Sequence, residues 1–421
     1  MIRRLFPLLA VAIGLLSAPG CVTAQHQGAA VAASSNSKSV HGQTLTGIDV
    51  LTERKFDILK GKRVGLVTNH TGLTRDAVST IDVLNKAEGV KLTALFGPEH
   101  GIRGTADEKV ASGTDEATGL PVYSLYGKTQ KPTAEMLKDV DVLVFDIQDI
   151  GTRFYTYIGT MALVMQAAKE NGKECVILDR PNPIGGEKVE GIVIDASQTG
   201  KNTAIYPIPT RHGMTVGELA KMFNEKFGIG CKLTVVPMKN WTRDMYWDET
   251  GLLWVNPSPN MKTLNGAILY PGLGAGETTT LSCGRGTDRP FEIYGAPYMD
   301  GTKIAANFNA RNIPGIRLVN YDHLPTAKYH NYEGKQCHGV YAIISDRNAF
   351  DSVEAGFAMF QAMHDTHPAE FKPEGGFKGE TGSDKVWDML MVEKKTPRQV
   401  LDTFEPSRQE FLKERSKYLL Y

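Results

Sequence analysis

Several absences narrow this chain first. Its five cysteines include no CxxC pair, which excludes a disulfide-dense scaffold, a zinc ribbon and a thioredoxin-type redox motif. Neither charge is in excess, with 47 basic against 47 acidic residues; no broad field draws in nucleic acid or an anionic membrane surface, so recognition must be local. No apolar run is long enough to span a bilayer. The first strand-to-helix turn, "TNHTGLT", lacks GxGxxG, and no Walker sequence is present, which argues against a nucleotide cofactor. GxSxG is also missing, and the SxxK from Ser35 to Lys38 has no helix to position it, so serine-nucleophile chemistry has no site. No internal repeat is visible, which excludes a solenoid.

The opening "MIRRLFPLLAVAIGLLSAPGC" sets two arginines before a short apolar stretch that ends in small residues. That is the layout of an export signal, assigned here to residues 1–24. It admits processing before Cys21, as a lipoprotein, or after Ala24. The chain is therefore expected outside the cytoplasm, in the periplasm or anchored to the envelope, and its only expected membrane attachment is a lipid on Cys21. "QHQGAAVAASSNSKSVHGQ" is small, polar and aperiodic; it cannot bury enough surface to fold and reads as a tether over 25–43. Outside the cytoplasm Cys175, Cys231, Cys283 and Cys337 admit one or two disulfides or buried thiols, and spacing does not choose between them.

Roughly 380 residues remain, a length that suits two domains. "RVGLVTNH", the helical spacing of "RDAVSTIDVLNKAEG" stopped by Gly89, and "VKLTALFGPEH" read as a βαβ unit. A Gly-rich loop over 101–121 precedes "DVLVFDIQDIG", the helix-like "FYTYIGTMALVMQAAKENG" and "ECVILDRPNPIGG". Continuous apolar strands separated by helices predict an α/β fold, a Rossmann-like parallel sheet covered on both faces. Thr215 and Glu218 have capping-box spacing at the head of "TVGELAKMFNEKFG", and "CKLTVVPM" is the next strand. Residues 251–300 are dense in Gly, Pro, Ser, Thr and Asn and read as irregular. The boundary falls there, giving a catalytic domain over 44–280 and a smaller mixed α/β domain over 281–421, which holds the strand "CHGVYAIISD", the helix "AFDSVEAGFAMFQAMHDTH" and a last helix opened by Pro397.

The residues after each expected strand are Asn69 and His70; Glu99 and His100; Asp146, Gln148 and Asp149; Asp179, Arg180 and Asn182. In an open parallel sheet these carboxyl ends share one rim, outside which ligands bind. Asp and Asn are common after strands because they start turns and cap helices, but Glu is not a favoured turn residue. Pro98, Gly97 and Gly101 fix the backbone around Glu99, as holding a reactive group at a set angle requires. A rival arrangement gathers His70, His100 and His212 with Asp146 as a zinc or manganese site, without an HExxH or any close-spaced ligand pair to support it. A third reading is an exported binding protein that cuts nothing.

The stretches "GLVTNHTG", "LFGPEHGIRG", "VFDIQDIGTRFYTYIGTM", "LDRPNPIGG", "RHGMTVGELA", "NPSPNMKTL", "YPGL", "GRGTDRPFEIYGAP" and "KYLLY", in order over 47–421, resemble the exo-β-N-acetylmuramidase family typified by NamZ. The resemblance implies a Rossmann-like domain and a smaller one with a cleft between them, no cofactor, and release of N-acetylmuramic acid from non-reducing ends of peptidoglycan-derived MurNAc-GlcNAc saccharides. Given such a reaction, the rigid turn offers Glu99 as general acid, its proton kept by burial or by neighbouring carboxylates such as Asp146 and Asp149, with assistance from the substrate's own N-acetyl group as a further route. His100 would orient the acid, and Asp149 or Glu277 would be the second carboxylate. Asn69, His70, Asp146, Gln148, Asn182, His212 and Asn260 would grip the sugar, with Tyr155, Tyr157 or Trp254 as stacking surfaces. Among Arg103, Arg153, Arg180, Arg211 and Arg285, at most two would meet the lactyl carboxylate, for which a guanidinium fork is suited. One departure stands out: where the family reads EGTN after "YPGL", this chain has Thr278 and Thr280 behind Glu277, which bears on sugar specificity.

Overall fold

The computed structural model describes residues 42–102 and 112–421. The leader, most of the tether and Arg103 lie outside the described residues. Gln43, at the end of the expected tether, is already hydrogen-bonded to the Gly251 carbonyl at 3.0 Å.

The strands of the first half are β1 (Arg63–Thr68), β2 (Lys91–Gly97), β3 (Gly113–Thr114), β4 (Pro121–Ser124), β5 (Val142–Asp146), β6 (Glu174–Leu178), β7 (Glu190–Val193), β8 (Pro209–Arg211) and β9 (Lys232–Val236). Seven of them form one sheet in the order β3-β4-β2-β1-β5-β6-β9. All its pairings are parallel except the edge strand β3 on β4. Helices α1 (Gly47–Glu53) and α2 (Thr80–Lys86) cover one face, and α3 (Tyr157–Glu170) and α4 (Val216–Glu225) the other. Side chains alternate across a strand, so Val142 and Val144 of β5 pack with Ile48, Leu51 and Ile81, whereas Leu143 and Phe145 pack with Ile158, Met161 and Leu219. Burial on both faces is why these strands read as unbroken apolar runs. The capping box at α4 is formed: Thr215 Oγ1 accepts from Glu218 N, and Glu218 Oε2 accepts from Thr215 N.

The second half contains α5 (Leu264–Leu273), β10 (Ile293–Ala296), α6 (Gly301–Asn309), β11 (Ile316–Asn320), β12 (His338–Ile344), α7 (Ser352–Thr366), α8 (Phe377–Thr381) and α9 (Pro397–Arg415). Strands β10, β12 and β11 make an antiparallel sheet whose core includes Ile304, Phe308, Phe357 and Phe360. Pro397 opens α9 as expected. Residues 251–300 are less irregular than their composition suggests, because α5 and β10 fall within them. From Gly266 to Leu273 every residue of α5 is buried, and a helix wrapped on all sides carries no polar stripe by which to recognise it. The expected loop over 101–121 likewise contains β3 and the start of β4. Cys175, Cys231, Cys283 and Cys337 are all free and buried.

Candidate active site

From β1 the chain builds outward through β2 and β4 on one side, then returns to add β5, β6 and β9 on the other. The sheet therefore reverses direction between β1 and β5, the crevice where open parallel sheets bind ligands. Thr68 and Asp146 lie level in register, so Asn69 and His70 leave the sheet beside Gln148 and Asp149. Glu99 follows β2 on one flank, and Arg180 and Asn182 follow β6 on the other.

Glu99 occupies a tight turn in which Gly101 N donates to the Pro98 carbonyl at 3.0 Å. His100 and Gly101 both have φ near +69°; for a histidine that conformation costs on the order of 1 kcal/mol, so the turn is held against a local preference. Thr156, the residue before α3, donates its hydroxyl to Glu99 Oε2 at 2.7 Å and caps no backbone N–H. The Tyr126 hydroxyl also faces Glu99; burial, with Glu99 beside it, pushes that phenol up to about 12.

The other rim residues divide by whether their polar atoms are already satisfied. Asp146, fully buried, takes two bonds from Arg180, Nε to Oδ1 at 2.6 Å and Nη2 to Oδ2 at 2.9 Å, and a third from Thr80. Asn182 bridges the Met214 carbonyl and Ile184 N. Arg211 is held by Glu190 at 2.7 Å. Arg153 is 1% exposed and donates to the carbonyls of Glu380 and Thr203; its Nε and that of Arg211 have no hydrogen-bond partner among the described residues, but the rest of each guanidinium is engaged within the protein. These groups support the rim from within. The expected influence of Asp146 on Glu99 needs correcting, because its charge is matched by Arg180 at bonding distance.

A second set is buried yet unpartnered among the described residues: Asn69 Nδ2, His70 Nδ1, Gln148 Oε1, Asp149 Oδ1, Tyr155 OH and His212 Nε2. Buried polar atoms are rarely left so; Asn69, His70, Gln148 and Asp149 follow β1 and β5, Tyr155 leads into α3 and His212 follows β8, and together they mark a place shaped for hydrogen bonds from outside the protein. Their directions can be assigned. Met214 N donates to His212 Nδ1, so in the neutral ring the proton is on Nε2, 3.8 Å from Asp149 Oδ2. His70 Nε2 faces the Asn256 carbonyl at 2.7 Å, so Nε2 donates and Nδ1 keeps the lone pair; burial lowers the proton affinity of this ring, with the Asn256 bond opposing and His100 contributing. Tyr155 stacks edge-on against Tyr157 and Tyr270, with ring centres 5.0 and 6.2 Å away. Its phenol is pushed well up, chiefly by burial, with Ser258 opposing; the charges of Asp149 and Glu99 raise it further and Arg285 lowers it. Both halves of the chain therefore meet around Tyr155.

On the far side of Tyr155, Glu277 pairs with Arg285 Nε through one oxygen and accepts from Tyr270 OH at 3.0 Å through the other. A cavity of about 160 Å³ opens there, lined by Glu277, Arg285, Ser282, Tyr329 and Asn331 among others. Asn260 joins the same region through its Oδ1, which accepts from Gly286 N at 3.1 Å. The two departing threonines turn the other way. Thr280 Oγ1 bonds the Glu370 carbonyl and Lys372 N, while Thr278 carries Glu374 N on its carbonyl and reaches Glu380 Oε2 with its hydroxyl at 3.4 Å. They fasten the 370–380 segment and do not line the cavity.

The metal arrangement does not form. Among the described residues no three His, Cys, Asp or Glu side chains gather around one point, since His212 and His70 each have a nitrogen on the backbone and Asp146 is closed by Arg180. Sequence reasoning missed Tyr126, Thr156, Ser258 and Glu380. Tyr126 follows β4, and the same strand-end logic would have found it had that strand been recognised. Thr156 stands between two tyrosines that drew notice. Glu380 is brought in by tertiary packing alone.

The NamZ exo-beta-N-acetylmuramidase family models match this chain in two parts, the N-terminal model over residues 64–265 and the C-terminal model over 268–421. The peptidoglycan beta-N-acetylmuramidase NamZ of Bacillus subtilis is 46% identical over 393 residues, covering 92% of this chain and 94% of that protein. Two crystal structures of DUF1343 family proteins from Bacteroides fragilis superpose with TM-scores of 0.83 and 0.74, at 40% and 31% identity, each over 90% of this chain and 99% of the other. The chain belongs to the NamZ exo-β-N-acetylmuramidase family.

Proposed function

We propose that this chain is an exo-acting glycoside hydrolase that releases N-acetylmuramic acid from the non-reducing ends of MurNAc-GlcNAc saccharides derived from peptidoglycan. The observation that carries the reading is the setting of Glu99, a carboxyl on a strained turn at the mouth of the switch-point crevice, held by two hydroxyls. A hydroxyl can donate to a carboxylate and accept from a carboxylic acid. Thr156 and Tyr126 therefore keep Glu99 in place as it gives its proton to the leaving oxygen and as it recovers one from water.

Asp149 supplies the second carboxylate, its free Oδ1 offering negative charge to the oxocarbenium-like centre. Asn69 and His212 provide donors to the sugar and its N-acetyl group, and Gln148 and His70 provide acceptors. His100 braces the acid from the adjoining turn position. The leader supports a reaction outside the cytoplasm, with Cys21 as the point of lipid attachment.

Incubating the purified protein with a MurNAc-GlcNAc disaccharide, alongside its GlcNAc-MurNAc counterpart, tests the proposal directly. Free N-acetylmuramic acid should appear from the first and not from the second. No release, or equal cleavage of both, would remove the reading.

A further inference from the structure

N-acetylmuramic acid differs from N-acetylglucosamine by a lactyl ether that ends in a carboxylate, so a selective enzyme needs a cation placed about one sugar ring from its acid. Three of the candidate arginines already have inward partners. Arg180 is closed by Asp146, Arg211 by Glu190, and Arg153 is buried against two carbonyls. Arg285 differs. Its Nε holds Glu277, its plane lies over the Phe291 ring with Cζ 5.0 Å from the ring centre, and neither Nη has a hydrogen-bond partner among the described residues. The side chain is 21% exposed and borders the 160 Å³ cavity.

We propose that Arg285, aligned by Glu277 and open to the cavity beneath Pro325 and Tyr329, is the subsite that binds the lactyl carboxylate. The inference rests on the muramidase reading above and deepens it. Glu277 is then a positioning residue: a guanidinium fixed at Nε presents its two Nη atoms as a planar fork, the geometry that carboxylates accept. Charge balance agrees. Glu380, within electrostatic reach of Glu277, Arg153 and Arg285, is held neutral at ordinary pH by burial and by Glu277. Two guanidiniums then stand against one carboxylate, a surplus of one positive charge that an incoming anion cancels. Contacts join the anion site to the acid: Thr156, bonded to Glu99, follows Tyr155, whose ring packs edge-on against Tyr270, and Tyr270 OH donates to the Glu277 that holds Arg285. Asn331, also in the lining, spends both amide hydrogens on the Thr279 and Leu281 carbonyls and so fixes the cavity wall, while the Ser282 hydroxyl accepts from Gly284 N beside His323 Nε2.

The test compares wild type, Arg285→Gln, Arg285→Lys and Arg103→Gln on a matched pair of aryl glycosides, one N-acetyl-β-muraminide and one N-acetyl-β-glucosaminide. Calorimetric binding of free N-acetylmuramic acid and N-acetylglucosamine accompanies it. Arg285→Gln should lower kcat/KM for the muraminide on the order of 100-fold, mainly through KM. It should also reduce binding of N-acetylmuramic acid to the level of N-acetylglucosamine, whose own binding stays unchanged. Arg285→Lys, a point charge without a fork, should fall between. A muraminide preference that survives Arg285→Gln, or one lost only in Arg103→Gln, overturns the inference while the muramidase reading stands. Should the glutamine variant fail to fold, an unchanged preference in Arg285→Lys is the overturning result. A wild type that cleaves no muraminide fails the earlier reading instead.

Discussion

The Thr156 hydroxyl donates to Glu99 Oε2 at 2.7 Å, joining the start of α3 to the turn that follows β2. A threonine in that position ordinarily caps its own helix, and here it is diverted to the carboxyl. General acids contribute on the order of 100- to 10,000-fold, so Glu99→Gln should lower kcat on a muraminide by at least about 100-fold with an unchanged melting temperature. Thr156→Val removes one hydrogen bond to the Glu99 carboxyl and should cost about 10-fold. Near-wild-type kcat in the glutamine variant would remove Glu99 from the chemistry.

Glu380 makes anion binding depend on pH. Burial, then the Glu277 carboxylate, pushes its carboxyl up to about 8. Below that pH it is neutral and the cluster with Arg153, Arg285 and Glu277 carries one surplus positive charge; above it the surplus disappears. KM for a muraminide should therefore rise as the pH passes through about 8, while KM for a glucosaminide stays flat. Glu380→Gln should abolish the rise, and steady-state kinetics between pH 6 and 9.5 reads both.

The Arg180–Asp146 pair is nearly withdrawn from solvent. Removing one partner of such a pair leaves the other charge buried and alone, at about 3–5 kcal/mol. Arg180→Met should lower the unfolding free energy obtained from urea denaturation by that amount. Substrate KM in the folded fraction should change little, and a large KM effect would move Arg180 from support to substrate contact.

Asp179 anchors the far side of the sheet. It accepts from Thr215 Oγ1 at 2.7 Å, Gly217 N at 2.7 Å and Tyr421 OH at 2.8 Å. Thr215→Ala loses both a helix cap and a donor to Asp179 and should destabilise by roughly 2 kcal/mol. Tyr421→Phe loses its donation to Asp179 and also leaves Met238 N, which donates to the tyrosine oxygen at 2.6 Å, without an acceptor, and should cost about as much. Chemical denaturation reads both, and an unchanged unfolding free energy in either variant would remove Asp179 as an anchor.

Buried thiols react only when the fold opens. Cys175, Cys231, Cys283 and Cys337 should resist a thiol reagent in the native protein and all label in urea without reductant. Labelling that required reductant would show a disulfide among them.

Much of the frame was legible because burial on two faces writes itself into a strand as an apolar run, and helix starts carry local chemistry. "DVLVFDIQD" and the Thr215–Glu218 box are both read from a few neighbouring residues, and both occur as expected. Helix α5 was not legible, because a segment buried all round has no periodicity to betray it. At the rim the strand-end pattern picked out residues that the fold does place after β1, β2, β5 and β6. Which of them are open was hidden, because Asp146 and Asp149 look alike in sequence and differ only in having or lacking an arginine from the next strand.

The sequence by itself determined a parallel sheet with a polar carboxyl edge, the rigid turn at Glu99 and the family to which the motifs belong, all consequences of spacing and local backbone chemistry. Only the tertiary structure decided which charges cancel one another and which polar atoms stay unmatched. It brought Glu380 within reach of Glu277, turned Thr278 and Thr280 away from the cavity and left the Nη atoms of Arg285 without hydrogen-bond partners among the described residues. Pairings between residues far apart in the chain are set by packing, and no local pattern encodes them.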